Sequence, residues 1–397
     1  MLAVTVLSST SFAWSFFMVY SFATIFESFA GSPFWAYLGE ALFFSFGALS
    51  AIIGSTLSER IARRKLLLFW ITLGVVASAS LVFFAGTVFI LLSSVLLGLS
   101  LGLGYPSFTA FLADSTVVEE RARVSGIVIL LTFVLVVLAV IVTTTLSSAL
   151  LGVVLIGVIL RSASYFVFAI DPCGGERGKQ KSWRAVLAYR DFSLYLFPWL
   201  MFSIATGLTL LMLNNLPAVF NAAVATGSPL HYIGAGVAGI ISGFAADRLG
   251  RKQPIIFGLI ALGVAFAFLG FGVSDTSVIV YYTVSGIAWG LLMVIYLAVP
   301  GDLAPVGSQE KFYALGITIP IIITMGFEAI SQLINFGNVF ISQNILPPVL
   351  CMIIFLSIIP VLRAREVLSE KRIYERKMKD HVDKIRELVE ESKKKSR

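Results

Sequence analysis

The sequence predicts an all-α, polytopic membrane protein with twelve transmembrane helices arranged as two six-helix repeats. Three observations carry that reading. The chain is 58% hydrophobic and only 13% charged over 397 residues, whereas soluble domains are about a quarter charged. Its apolar runs are long enough to cross a bilayer, which takes about 20 residues per helix. A shift of 188 residues also lays much of the first half onto the second with matching residue types.

The elements follow in order. The first span, 2–26, lacks a basic n-region and a small-residue cleavage site, so it reads as a helix rather than a signal peptide. A Gly-Ser-Pro break precedes the second, 34–57. The charged knot STLSERIARRKL at 55–66 separates it from the third, 66–86, and the fourth, 88–112, comes directly after. The polar stretch ADSTVVEERARVSG, 113–126, leads to the fifth, 126–145, and a short Leu-Ser-Ser step leads to the sixth, 149–170. The hydrophilic stretch DPCGGERGKQKSWRAVLAYRDFS then divides the chain. Beyond it lie spans 194–216, 229–246, 254–273, 277–299, 316–335 and 345–363, with a second knot, GFAADRLGRKQP, at 243–254. The units are thus 1–170, a linker at 171–193, 194–363, and a charged tail at 364–397. No run sustains a period of two, which argues against a β-barrel. Helices are the remaining way to satisfy a backbone in lipid.

Every lysine and arginine except Arg161 falls on one side of this layout. By the positive-inside rule that side is cytoplasmic and holds both termini, as expected in a cytoplasmic membrane. Cys173 and Cys351 are too far apart in the layout to suggest a bridge. From Arg363 onward the chain carries thirteen bases against eight acids, and Met378, Val382, Ile385 and Val389 recur at helical spacing. A solvated amphipathic helix is the plainer reading, with contact to anionic lipid or a partner helix as the alternative. Nothing resembles a nucleic-acid motif, and no His, Asp or Glu cluster in the spans suggests a metal. Neither a cofactor nor an enzymatic activity is expected.

The repeat explains the two knots. At the 188-residue shift Glu59 falls on Asp247, Arg60 on Arg248, Arg63 on Arg251 and Arg64 on Lys252. Gly98 falls on Gly286, Gly102 on Gly290 and Asp114 on Asp302. Two residues later in register, Glu120, Arg121 and Gly126 meet Glu310, Lys311 and Gly316. Carboxylates at these helix ends favour a neighbouring helix N-terminus, and the arginines offer forks to carboxylates of an adjacent loop. Such a cluster holds only while the inner ends are close together. A purely topological role is the alternative.

GFAADRLGRK at 243–252 resembles the signature loop of the major facilitator superfamily of secondary transporters, and ADSTVVEERARVSG resembles its companion loop. The resemblance covers about residues 1–363. It implies a cytoplasmic gate formed by Glu59, Arg60, Arg63, Asp114, Arg121, Asp247, Arg248, Arg251, Asp302 and Lys311. Departures matter. The first copy has Glu59 for Asp and Ala62 for Gly, and Ser94 stands where many members have an arginine associated with proton coupling. The fifth span has no glycine after Gly126 and no proline, unlike that of drug:proton antiporters.

The resemblance also implies that spans 1, 4, 7 and 10 line a central cavity. Candidates for substrate contact there, or on the neighbouring eleventh span, are Trp14, Asn214, Asn215, Tyr282, Trp289 and Gln332. Packing or interhelical hydrogen bonds are the competing roles for several of them. Three ionisable residues lie inside spans, and each is a functional candidate by default: Glu40, Arg161 and Glu328. Glu40 and Glu328 sit at matching depth on spans 2 and 11, which the family fold places side by side. Two carboxylates so placed could share a proton, since like charges raise one pKa; the alternative is that each pairs separately or reaches outer water. Arg161 is expected to point into its own half and meet a carboxylate or backbone carbonyls. The resulting expectation is a monomeric secondary transporter of a small organic solute, a sugar or organic acid, with protons as the candidate coupling ion and lipid as surroundings. The alternatives are an exporter of lipophilic compounds and a non-transporting sensor or scaffold acting through the basic tail.

Overall fold

A computed structural model describes residues 1–29, 33–82, 86–146, 149–171, 181–214, 216, 218–305, 307–320, 322–323, 326, 345–368 and 378. Among them the secondary structure is helical throughout. In the first half lie α1 (Leu2–Phe29), α2 (Pro33–Leu57), α3 (Arg63–Ser80), α4 (Thr87–Asp114), α5 (Val118–Thr145) and α6 (Leu150–Ile170). In the second half lie α7 (Arg190–Asn214), α8 (Asn221–Leu249), α9 (Lys252–Gly270) and α10 (Asp275–Leu303). Next, α11 begins at Gln309–Tyr313 and runs into a π-helical turn, Ala314–Thr318. The last membrane helix, α12, spans Leu346–Arg363. A short helix, Trp183–Leu187, precedes α7 and is capped by the Ser182 hydroxyl, which accepts from the Ala185 amide.

Ten of the described helices are long and apolar enough to cross a membrane. That number omits α3, whose first turn holds Arg63, Arg64 and Lys65, and the eleventh element, whose sequence-read span 316–335 lies mostly outside the described residues. Two helices start eight residues earlier than the sequence marks: α5 at Val118 rather than 126, and α8 at Asn221 rather than 229. Pro229 sits inside α8. The sequence-read span 229–246 leaves His231 two residues from its outer end, whereas in the structure it lies ten residues into the helix.

The repeat is visible in the packing. Gly98 and Gly102 of α4 press against the carbonyls of Phe43 and Gly47 of α2, with no room for a Cβ. Gly286 and Gly290 of α10 press in the same way on the carbonyls of His231 and Ala235 of α8. Each contact maps onto its counterpart by the 188-residue shift. Small residues let membrane helices approach this closely, and dispersion is what holds them.

The end of the bundle that carries the lysines and arginines, called the basic end below, differs from the opposite end. There the buried residues of α1, α3, α4 and α5 (Leu7, Trp70, Phe108 and Ile129 among them) belong to one core continuous with α7 to α12. Toward the opposite end the first half has a core of its own, with Trp14, Phe17, Phe43, Leu97, Val136 and Val153. Among the described residues the two halves are thus fused at the basic end, and the second core is joined by the second half only through Ile322 of α11. α5 and α8 cross there at glycines. A Cβ on Gly126 would lie 2.7 Å from the Gly239 carbonyl oxygen, and one on Gly243 would lie 2.5 Å from that of Ala122.

Candidate functional site

At the basic end, ion pairs join the halves. Asp302 closes α10 with a side chain that is 0% exposed. One of its oxygens meets Arg121 Nη1 at 2.5 Å, and the other accepts from Arg251 Nε at 2.9 Å. Arg121 belongs to the first half and Arg251 to the second. Arg121 also donates to Thr116 Oγ1 and to the carbonyls of Ala113 and Thr116. Arg251 reaches Asp247 Oδ1 at 2.8 Å, the Ala246 carbonyl, and the Val118 carbonyl across the seam at 2.6 Å. Burial disfavours the Arg251 charge, yet the Asp302 and Asp247 carboxylates outweigh it and hold its pKa above the ordinary value.

Asp247 completes the crossing. Its carboxylate accepts from the backbone amides of Ala122 at 3.3 Å and Arg123 at 3.0 Å, near the N-terminal end of α5. The Arg123 guanidinium stands 3.6 Å away. A buried carboxylate aimed at the start of a neighbouring helix gains from both hydrogen bonds and dipole.

The first-half knot makes a thinner set of contacts. Arg63 pairs with Asp114 at 2.7 Å, the counterpart of Arg251 with Asp302, and reaches Glu310 at 3.3 Å across the seam. Asp114 also accepts from Gln309 at 2.9 Å. Glu59 meets Lys311 at 2.6 Å, and Lys311 donates to the Lys181 carbonyl of the linker at 2.8 Å. Arg60 and Arg248, expected in the same cluster, are exposed at its edge.

One member escaped the sequence reading. Glu366, just after α12, accepts from the backbone amides of Arg251 at 2.6 Å and Lys252 at 3.2 Å. It caps α9, whose own N-cap residue supplies no side-chain bond. A Cβ on Gly250 would fall 2.5 Å from the Glu366 carboxylate, and Gly250 has φ +100°, so glycine is required there on both counts. The same strand of chain is pinned by the Tyr195 hydroxyl, which donates to the Arg365 carbonyl at 2.9 Å, and by Asp191, which accepts from the Arg365 amide. No sequence signal marks Glu366, because its partners are backbone groups more than a hundred residues away.

At mid-depth a belt of rings crosses the seam. Phe16 of α1 lies 5.5 Å from Phe133 of α5 and 6.4 Å from Trp289 of α10. Trp289 in turn lies 5.2 Å from Phe202 of α7 and 5.9 Å from His231 of α8. Tyr282 is 6.4 Å from the His231 ring, and Ser285 Oγ is 3.1 Å from His231 Nδ1. Tyr282 and Trp289 are therefore brought together, with His231, Phe16, Phe133 and Phe202 as neighbours that the sequence reading missed. On α7 a stripe of buried polar atoms has no hydrogen-bond partner among the described residues: Trp199 Nε1, Ser203 Oγ and Thr206 Oγ1, with Tyr296 stacked on Trp199 at 4.3 Å. A cavity of about 20 Å³ lies beside Phe16, where Ser15, Phe44, Tyr105 and Thr318 meet.

Trp14 is elsewhere. Its indole N–H donates to Ser78 Oγ at 3.0 Å and its ring covers Arg161, whose guanidinium carbon is 4.8 Å from the ring centre. Arg161 is 0% exposed and lies 3.6 Å from the centre of the Trp70 ring, donating to the Trp70 carbonyl and to Ser11 Oγ. It points into its own half, as expected, and among its described contacts two indole faces stand where a carboxylate was one of the options. Glu40 lies half-buried on α2. Asn214 ends α7, while Asn215, Glu328 and Gln332 lie outside the described residues.

The sequence pattern of the Major Facilitator Superfamily matches residues 2–361. No match was found among curated protein sequences. Among solved structures, the chain resembles a bacterial homologue of the iron transporter ferroportin in an outward-facing state, with 17% identity, a TM-score of 0.67, and coverage of 91% of this chain and 97% of that one. It also resembles the proton:xylose symporter XylE bound to 6-bromo-6-deoxy-D-glucose, with 10% identity, a TM-score of 0.70, and coverage of 91% and 95%. At these identities the likeness speaks to fold alone.

Proposed function

The chain belongs to the major facilitator superfamily, and on that premise we propose that it moves a small organic solute, of the sugar or organic-acid class, across the cytoplasmic membrane by alternating access. One observation carries the reading. The halves share a core and several ion pairs at the basic end, while toward the other end the described residues of the first half form a core that only Ile322 of the second half joins. With the basic end cytoplasmic, this is a carrier closed toward the cell interior. Both termini are then cytoplasmic, and the arginine–carboxylate cluster is the gate that must break for release.

Substrate contact is assigned to the mid-depth belt. Trp289 and Tyr282 supply ring faces, and the orphaned hydroxyls of Ser203 and Thr206 supply hydrogen bonds that a hydroxylated or carboxylated solute would complete. Glu40 and Glu328 are proposed as the shared proton site. The test is thermal stability of the purified protein against sugars, carboxylates, amino acids and lipophilic cations at two pH values. A ligand bound only by the folded state raises the midpoint. A sugar or carboxylate should do so, and Trp289→Ala should remove the shift; a response confined to lipophilic cations would overturn the solute class.

A further inference from the structure

Above the glycine crossing at the basic end, α5 and α8 leave a groove between them with a volume of about 300 Å³. Its walls are Leu130, Val134 and Leu138 of α5 and Ile233 and Val237 of α8, and Gly236 lies between them. Among the described residues no charged side chain lines it, and the only polar atom on a lining side chain is the Tyr232 hydroxyl. Val134, Leu138, Ile233 and Val237 are 45% to 55% exposed, so the groove opens to the outside of the bundle. Its floor is the Phe133–Tyr232 ring pair, 5.8 Å apart, with the Phe16–Trp289–His231 belt behind.

Depth identifies the occupant. Leu130 and Leu138 lie about 10 and 22 Å along α5 from Arg123, at a rise of ~1.5 Å per residue. Both positions fall inside a hydrocarbon layer of about 30 Å. The only abundant apolar group at that level is a lipid acyl chain. We propose that this groove is a binding site for one acyl chain of a bilayer lipid, wedged between the two halves in the closed-inside conformation. Lipid tails are as apolar as leucine, so no hydrophobic gain retains the chain. Close packing against two helices does so, through contacts that a bulk chain makes on one side only. Gly236 leaves the necessary space: a Cβ there would sit 3.2 Å from Leu130 Cδ1, so a larger side chain fills the groove.

The wedge has a consequence for gating, and this part rests on the alternating-access reading above. Opening the basic end requires α5 and α8 to part at Gly126 and Gly239 and to close toward the opposite end. That movement expels the chain. The occupied groove therefore favours the closed-inside state.

The test uses the full chain in phosphatidylcholine vesicles doped with a lipid that carries a photoactivatable diazirine in mid-chain. Labelled peptides are mapped without any solute. Labelling of 130–138 and 232–237 should exceed, several-fold, that of the exposed apolar face of α9 at Phe257, Val264 and Phe268. Gly236→Leu, and separately Val237→Trp as a second way to fill the site from its exposed wall, should cut it to the level of α9. Uniform labelling over both faces would overturn the site, as would labelling that a lipophilic cation competes away, which points to a solute portal instead. In Asp247→Asn the groove label should fall as the halves rock. A retained label beside an intact wild-type signal would keep the site and overturn its coupling to the gate.

Discussion

The two copies of the charged loop, 58–64 and 246–252, began as the same sequence device and now do different amounts of work. In the second copy the Asp247 side chain is 3% exposed and that of Arg251 is 1%. In the first, Glu59 is 40% exposed and Arg63 9%. The shared part is the arginine–aspartate pair, Arg251 with Asp302 and Arg63 with Asp114, which the repeat preserves in both halves. What differs is the partner offered across the seam. Arg121 presents a planar fork and makes contacts with Asp302, Thr116 and Ala113, whereas its repeat mate Lys311 presents a point charge to Glu59. An aspartate at 247 is short enough to sit against the amides of α5; the longer Glu59 reaches an ammonium instead. A repeat thus fixes which residues face each other, and burial decides how much each contact weighs.

That asymmetry can be broken at four points, in falling order of effect. Asp302→Asn leaves Arg121 and Arg251 buried around a neutral amide, and losing one partner of a buried pair costs about 3–5 kcal/mol. Its mate Asp114, 35% exposed, should cost about 1 kcal/mol or less on the same change. A paired thermal-unfolding measurement checks this, and equal losses would end the argument. Next, Asp247→Asn weakens charge-assisted bonds to α5, each worth about 1.5–3 kcal/mol. Accessibility of a reporter cysteine in the inner cavity should rise. Unchanged labelling would leave the loop with a topological role only.

Glu366→Gln comes third. It keeps an acceptor at the start of α9 and removes the charge, so the loss should be about 0.3–1 kcal/mol, near what a helix-end charge contributes. Glu366→Ala also removes the acceptor and should cost more, read as a lower unfolding midpoint together with higher reporter labelling. If the two variants match, the charge is the whole effect. Smallest of all, Glu59→Gln touches a half-exposed pair and should shift either measurement by less than about 1 kcal/mol. A large effect there would mean that the first copy is as deeply committed as the second.

A separate variant addresses Arg161. Replacing it by Met keeps the length and removes the charge that two indole faces now hold, and the unfolding midpoint should move little or rise. A severe loss would show that the cation binds α1, α3 and α6 together through the Trp14 and Trp70 rings.

Much of this was legible in the chain itself. Composition and run length determined an all-helical membrane protein, because lipid leaves the backbone no other internal hydrogen bonding. The 188-residue register determined the matched positions, with Gly98 and Gly102 of α4 mirrored by Gly286 and Gly290 of α10. The arginine distribution supplied an orientation. Tertiary structure alone decided the rest. Trp14 and Trp289 look alike in sequence, yet one seals Arg161 inside the first half and the other joins a belt across the seam, since Trp14 sits on the face of α1 turned to α3 and α6 while Phe16, two residues on, reaches Trp289. His231 moved from an edge to the belt because α8 starts earlier than hydropathy marks, with a proline in its interior. Glu366 entered the charged cluster because amides at the start of α9 attract whichever carboxylate the fold brings near, and sequence distance carries no record of that.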